Sequence, residues 1–222
     1  MDEAPTLPAV AGPYGGAAGL GTGPAPGRSL LPTPALSFSP QLLLAARGAG
    51  AGIGAAIFDV DGVLTDGRVY IGADGEAFKA FSTLDGQGLK LLAQAGIVPI
   101  VVTGRDSPGV RRRMADLGID NVAYGAADKI AAAAAIVERL GLGWDRVAAM
   151  GDDWPDLPIL RRAAFACAPP QAHVEVRAVA RHVTVAAAGH GAAREFCDLL
   201  LVASGRYAEL LRGPLFALDG AR

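Results

Sequence analysis

The chain has 222 residues and 51% hydrophobic content, enough for one buried core of ordinary domain size. A net charge of -2 and a pI near 5.9 exclude the basic face that nucleic-acid binding needs. Cys167 and Cys197 form no C-x-x-C pair, and His173 and His182 lack ligand spacing, which excludes a disulfide framework or zinc site and points to small buried thiols in a reducing compartment.

Residues 1–37 are dominated by glycine, proline and alanine, a composition that cannot build a packed core. They are expected to be a disordered extension, or the result of a start codon placed too early. Asp2 and Glu3 stand where a signal peptide is basic, and no long apolar run follows. The first candidate helix, Pro40 to Arg47, is far too short to cross a bilayer. A folded domain is expected over residues 38–213, with 214–222 as a tail.

The next element ends in Ile57-Phe58-Asp59-Val60-Asp61-Gly62. Its apolar approach fits a buried parallel strand, and alternation along an extended backbone sends Asp59 and Asp61 the same way. Two acids sharing a small space raise the pKa of one, so a proton is expected on Asp61 while Asp59 stays an anionic nucleophile. The alternative is a plain strand followed by an acidic turn.

Arg68 to Phe81 then reads as a β-hairpin turning at Asp74-Gly75, and Asp85 to Gln94 as a helix. A strand over Gly96 to Val102 stops at Thr103-Gly104-Arg105. The helix from Ser107 to Leu117 has Ser107 as cap and Pro108 at its first position. A short strand over Asn121 to Tyr124 precedes the alanine-rich helix Ala127 to Leu140, which carries Lys129 at its start. Arg146 to Met150 repeats the first pattern, an apolar strand followed by Gly151-Asp152-Asp153. The helix Pro155 to Ala163, short strands at Phe165 to Ala168 and His182 to Val185, and the helix Gly191 to Ala203 complete the fold. Such alternation predicts an α/β fold, a Rossmann-like doubly wound, mostly parallel sheet.

Ligands of open parallel sheets bind beyond the carboxyl ends of the strands, so Asp59, Thr103 and Asp152 are expected on one rim. Hydrolysis of a phosphate monoester needs an in-line nucleophile, charge neutralisation and a proton for the departing alkoxide. Asp59 is assigned attack on phosphorus, Asp61 proton transfer, Thr103 a hydrogen bond, and Lys129 fixed positive charge. Asp152 would share a divalent ion with Asp59 in an all-oxygen site suited to Mg2+.

These stations, in this order, resemble the haloacid dehalogenase superfamily of phosphatases. The closer resemblance, from about Ile53 to Leu211, is to its family of 3-deoxy-D-manno-octulosonate (KDO) 8-phosphate phosphatases. It is carried by Asp59 to Gly67, Lys79-Ala80-Phe81, Leu84 to Gly88, Thr103-Gly104-Arg105, Gly151-Asp152-Asp153 with Asp156-Leu157-Pro158, and Gly191 to Asp198. The resemblance implies Mg2+-dependent hydrolysis of KDO 8-phosphate, a step toward lipopolysaccharide, in the cytoplasm. It implies that Asp61 reaches the metal through its backbone carbonyl, with Asp153 and Asp156 behind the ligands. It also implies substrate contacts from Ser82, Thr83, Leu84, Asp85, Gly86, Lys90, Gly104, Arg105 and Arg113.

Arg105 has a planar fork that suits the carboxylate of an acidic sugar, where enzymes for nine-carbon sialic-type sugars are expected to carry glutamate. Arg111 and Arg112 read as a solvated helix face. Several relatives carry arginine where Leu84 stands, so contact there would be through backbone. The spacing leaves no room for a cap domain, so a neighbouring subunit is the expected cover. The resemblance implies a homotetramer built on the hairpin, with the tail segment Ala188-Gly189-His190-Gly191 reaching an adjacent site. His190 replaces an arginine there, and a solvated loop histidine is an equal reading. Three rivals stay open: a phosphatase for another sugar acid phosphate, a receiver-like signalling module, and an inactive scaffold. In receivers the acid pair precedes the phosphorylated aspartate, whereas Asp152-Asp153 comes last here.

Overall fold

The computed structural model describes residues 36–219, so the expectations for residues 1–35 and 220–222 lie outside the described residues. Helix α1, Pro40–Arg47, is capped by the Ser39 hydroxyl, which accepts from the Leu42 N–H at 3.3 Å. Strand β1, Ala55–Phe58, lies at the centre of the main sheet and is wholly buried. The hairpin follows as β2, Tyr70–Gly72, and β3, Gly75–Phe78, paired antiparallel in a separate two-stranded sheet. Then come α2, Thr83–Gln94; β4, Val98–Val102; α3, Pro108–Leu117; β5, Val122–Ala123; and α4, Lys129–Arg139. The chain continues through β6, Val147–Met150; α5, Leu157–Arg162; β7, Phe165–Ala168; α6, Val174–Val179; β8, His182–Val183; α7, Ala192–Ala203; and α8, Tyr207–Asp219.

Six strands form one sheet in the order β5-β4-β1-β6-β7-β8, and every neighbouring pair is parallel. The order reverses at β1, so helices cover both faces. Alternation along β1 divides the core: Ala56 and Phe58 face the layer holding α1, α2, α3 and α7, while Ala55 and Ile57 face α4, α5 and α6. On the first face Phe58 meets Phe196 edge to face with centroids 5.5 Å apart, and Phe196 stacks on Phe165 at 6.3 Å. The doubly wound α/β fold with a hairpin insertion is therefore present, and β1 and β4 are separated by the turn Val60–Leu64, the hairpin and α2. Among the described residues, no helix is long and apolar enough to cross a membrane.

Several boundaries differ from expectation. Helix α2 starts two residues earlier than predicted because Ser82 caps it, accepting from the Leu84 N–H at 3.2 Å. Strand β4 starts at Val98, since Gly96 is left-handed with φ of 82°. Helix α6 was not predicted; its cap is His173, whose Nδ1 accepts from the Glu175 N–H at 3.2 Å, a residue type outside the usual capping set. Helix α8 continues through Gly213 and Pro214, a pair that reads as a helix stop, and so crosses the expected tail boundary. Cys167 and Cys197 are buried, and burial pushes both thiols well above their ordinary pKa, as apolar fillers should be.

Candidate active site

At the carboxyl end of β1 the chain leaves the sheet at Asp59, whose backbone is extended, and turns sharply. The turn closes through Val60, whose carbonyl accepts from the Thr65 N–H at 3.0 Å and from its hydroxyl at 3.2 Å. Gly62 makes the turn possible with φ of 93°. A side chain there would also run into Asp152 Oδ2, so the missing Cβ is the space that Asp152 fills. Strand β6 sits beside β1 in register, Phe58 against Met150, which brings Asp152 to the same rim. Strand β4 on the other side brings Thr103, and the N-terminus of α4 brings Lys129.

Lys129 is almost buried, and its Nζ lies 2.9 Å from Asp59 Oδ2 and 2.8 Å from Asp156 Oδ1. Burial alone disfavours an ammonium, but Asp59 and Asp156 outweigh it and hold the Lys129 pKa above its ordinary value. The other Asp156 oxygen accepts from the Asp152 N–H at 3.1 Å and from the Asp153 N–H at 3.4 Å. Asp156 thus fixes the acidic loop and ties it to the lysine. The Thr103 hydroxyl accepts from the Arg105 N–H at 3.2 Å, which leaves its own hydrogen free for a phosphate oxygen.

Asp59, Asp152 and Asp156 each place one carboxylate oxygen within 4.8 Å of the others. Their charges are only partly offset. Burial, then the charge of Asp156, push the Asp59 pKa up to about 6 against the opposing pull of Lys129. Burial, then Asp59 and Asp156, push Asp152 up to about 8. Among the described residues, the buried Oδ1 of Asp152 has no hydrogen-bond partner. An orphaned carboxylate oxygen among clustered acids fits a hard divalent cation. Asp156 has committed both oxygens to Lys129 and the backbone, so Asp59 and Asp152 are the available carboxylates.

A pH dependence follows. A carboxyl whose folded pKa is raised gives a stability contribution that is full below its unfolded pKa, near 3.8, and lost as pH rises through the folded value. For Asp59 and Asp152 that loss runs from about pH 4 to about pH 8. A bound cation offsets it, so Mg2+ should raise the melting temperature more at pH 8 than at pH 6. At a hundredfold excess over its Kd the ion contributes about 2.7 kcal/mol. Melting curves with Mg2+ or with chelator at both pH values measure this; an equal effect at both would remove the cation from the acid cluster.

The expected sharing of one space by Asp59 and Asp61 needs correction. Asp61 turns to a different cation: its Oδ1 accepts from the Lys79 ammonium, and its Oδ2 lies 3.9 Å from Arg105 Nε. The turn begins at Val60, between the two acids, and this ends the strand-like alternation on which the first reading rested. Lys79 and its second partner Glu76, at 3.1 Å, were not foreseen as site residues. One signal was present in the sequence, which has lysine only at positions 79, 90 and 129.

The expected substrate contacts divide. Gly104 and Arg105 are exposed at the rim, with the Arg105 side chain 55% accessible. Thr83, Leu84 and Lys90 are exposed on α2. Asp85 is instead buried, accepting from the Arg194 N–H at 2.7 Å and the Gly191 N–H at 3.2 Å, so it anchors the start of α7 rather than facing a ligand. The Ser82 hydroxyl is spent on capping α2. Arg113 Nη2 donates to the Ser82 carbonyl at 3.1 Å and lies where a Gly86 side chain would be. Ser82, Asp85, Gly86 and Arg113 therefore hold the fold together beside the site. Arg111 pairs with Asp106 through two bonds of 2.7 Å, and Arg112 with Asp116 at 3.0 Å, as a solvated face should. The segment with exposed His190 seats on its own chain, where the Gly189 N–H donates to the Val63 carbonyl at 3.2 Å.

The sequence pattern of the haloacid dehalogenase-like hydrolases matches residues 121–196. The chain is 40% identical over 153 residues to the 3-deoxy-D-manno-octulosonate 8-phosphate phosphatase of Escherichia coli strain K12, covering 69% of this chain and 81% of that one. The same phosphatase from Moraxella catarrhalis, solved with magnesium, phosphate and KDO, superposes with a TM-score of 0.72 at 36% identity, over 77% of this chain and 96% of that one. The cobalt-bound enzyme from Haemophilus influenzae gives a TM-score of 0.69 at 39% identity, over 74% and 93%.

Proposed function

Because the chain belongs to the KDO 8-phosphate phosphatases, a family of the haloacid dehalogenase-like hydrolases, we propose that it hydrolyses KDO 8-phosphate to KDO and phosphate with Mg2+. The observation that carries this reading is the cluster of Asp59, Asp152 and Lys129 at the ends of neighbouring strands, beside Thr103 after β4, with a buried Asp152 oxygen that has no hydrogen-bond partner among the described residues. The cation would be held by Asp59, Asp152 and the Asp61 carbonyl, and when bound it offsets charge on the transferring phosphoryl group.

Asp59 attacks phosphorus, forming an Asp59 Oδ–P bond as the bond from phosphorus to the sugar oxygen breaks. In its protonated form Asp61 gives a proton to the departing oxygen, and the resulting carboxylate, the state paired with Lys79, takes one back from the water that cleaves the aspartyl phosphate. Lys129 holds Asp59 in place and neutralises charge beside it. Thr103 donates to a phosphate oxygen. Arg105, exposed at the rim, clamps the sugar carboxylate.

The enzyme is assigned to the cytoplasm and to lipopolysaccharide precursor synthesis, as a homotetramer whose hairpins cover neighbouring sites. Support for the cover comes from exposed apolar side chains on the hairpin, Ile71 at 71% and Phe78 at 58%. The phosphatase domain is assigned to residues 38–213, with 1–37 as an extension and 214–222 as a tail. The test is phosphate release over a panel of sugar phosphates, with Mg2+ and with chelator. Activity should need the ion and prefer the acidic sugar. Arg105→Ala should raise KM for KDO 8-phosphate by about 10- to 100-fold, the value of a charge-assisted hydrogen bond, and leave neutral sugar phosphates unaffected. Preference of the unaltered enzyme for a neutral sugar phosphate would refute the substrate.

A further inference from the structure

Lys79 follows directly on β3, and its side chain is 1% exposed although it carries a charge. Burying an ammonium is costly unless it is paired, and here its partners are Asp61 and Glu76, the latter at 3.1 Å. A polar chain thus runs from Glu76 through Lys79 to the carboxylate of Asp61, joining the hairpin to the turn after β1. The hairpin is rooted beside the site by Asp66, which accepts from the Arg68 N–H at 3.0 Å and the Tyr70 hydroxyl at 3.2 Å. Tyr70 in turn stacks on Phe78, centroids 4.5 Å apart, next to Lys79.

We propose that Lys79 is a positioning residue that aims the Asp61 carboxylate at the leaving-group oxygen, so that docking of the hairpin is required for proton transfer. The proposal rests on the phosphatase reading above and goes beyond it by assigning the hairpin a part in the chemistry. Without Lys79, Asp61 is free to swing toward Arg105 or into solvent, while Asp59, Thr103, Lys129 and Asp152 keep their partners. The attack on phosphorus survives and the two proton transfers suffer.

That division is measurable with two leaving groups. A sugar alkoxide must be protonated as it leaves, whereas p-nitrophenolate leaves unaided. In Lys79→Met, kcat on the sugar phosphate should fall by about 10²-fold or more with KM unchanged. With p-nitrophenyl phosphate the first turnover stays fast, and a burst of about one nitrophenolate per site precedes slow release of phosphate, because hydrolysis of the aspartyl phosphate still needs Asp61. Lys79→Arg, which keeps the charge, should recover most of the rate. Glu76→Gln, which leaves the ammonium in place with a weaker second anchor, should show the same pattern in milder form and guards against misfolding of Lys79→Met. An active wild type beside an equally active Lys79→Met overturns this proposal alone, as does a variant that loses burst and turnover together. A wild type that releases no phosphate from any ester overturns the phosphatase reading and this one with it.

Discussion

Asp59→Asn should lower turnover by on the order of 10⁴- to 10⁶-fold, the scale seen when a nucleophile is removed from a catalytic unit. The amide oxygen has no negative charge to offer phosphorus, and no other carboxylate in the cluster is available. Asp152 is crowded against Gly62, and Asp156 is held by Lys129 and two backbone N–H groups. The fold should be indifferent to the change. Burial and Asp156 already disfavour a charge on Asp59, whose pKa stands at about 6, so at pH 8 the metal-free protein carries that charge at a loss. The variant should therefore melt at the same temperature or higher at pH 8 in chelator. It should also sediment as the wild type does, since Asp59 is buried and paired with Lys129 rather than with a residue of the hairpin. Residual turnover above about one per cent would show that something other than an aspartyl phosphate carries the reaction.

Much of this site was legible in the sequence because its parts follow simple rules. Apolar runs of four or five residues ending at a carboxylate, a hydroxyl or a glycine mark the carboxyl ends of parallel strands. Once Ile57, Ile100 and Ala149 are placed side by side, Asp59, Thr103 and Asp152 must share a rim. Lys129 was legible because it begins a helix behind a capping Asp128, whose side chain accepts from the Ala131 N–H at 3.1 Å. What escaped was the pairing of side chains across the fold. Asp85 reads as a polar residue near the site, yet it serves α7, more than a hundred positions away in the chain. Nothing local to Asp61 says that Lys79, eighteen positions on, will reach it. Turn geometry also defeated the alternation rule: the chain leaves the extended conformation at Val60, between the two acids, and they meet different cations.

Lys129→Met should have the second largest effect, and it should appear in stability as well as rate. The lysine is the buried cation that bridges Asp59 and Asp156, and the methionine keeps the stem but removes the charge. Breaking a buried pair by deleting one partner costs about 3–5 kcal/mol, because the other charges stay buried without compensation. The acids have one escape, which is to take up protons. In the wild type Asp59 and Asp152 already titrate near 6 and 8; without Lys129 both values should move higher. Raised folded values keep their stability contribution at low pH and lose it as pH rises. The deficit should therefore be small at pH 5 and large at pH 8, with denaturant midpoints at the two pH values measuring it. Turnover in excess Mg2+ should fall by about 10²- to 10³-fold, the usual effect of losing one preorganised electrostatic partner. The ion restores part of the stability by neutralising the same acids, but it cannot replace a cation held against Asp59 from inside the fold. A variant as stable as the wild type at pH 8, with turnover within about tenfold, would mean that the cluster is balanced by something other than this lysine.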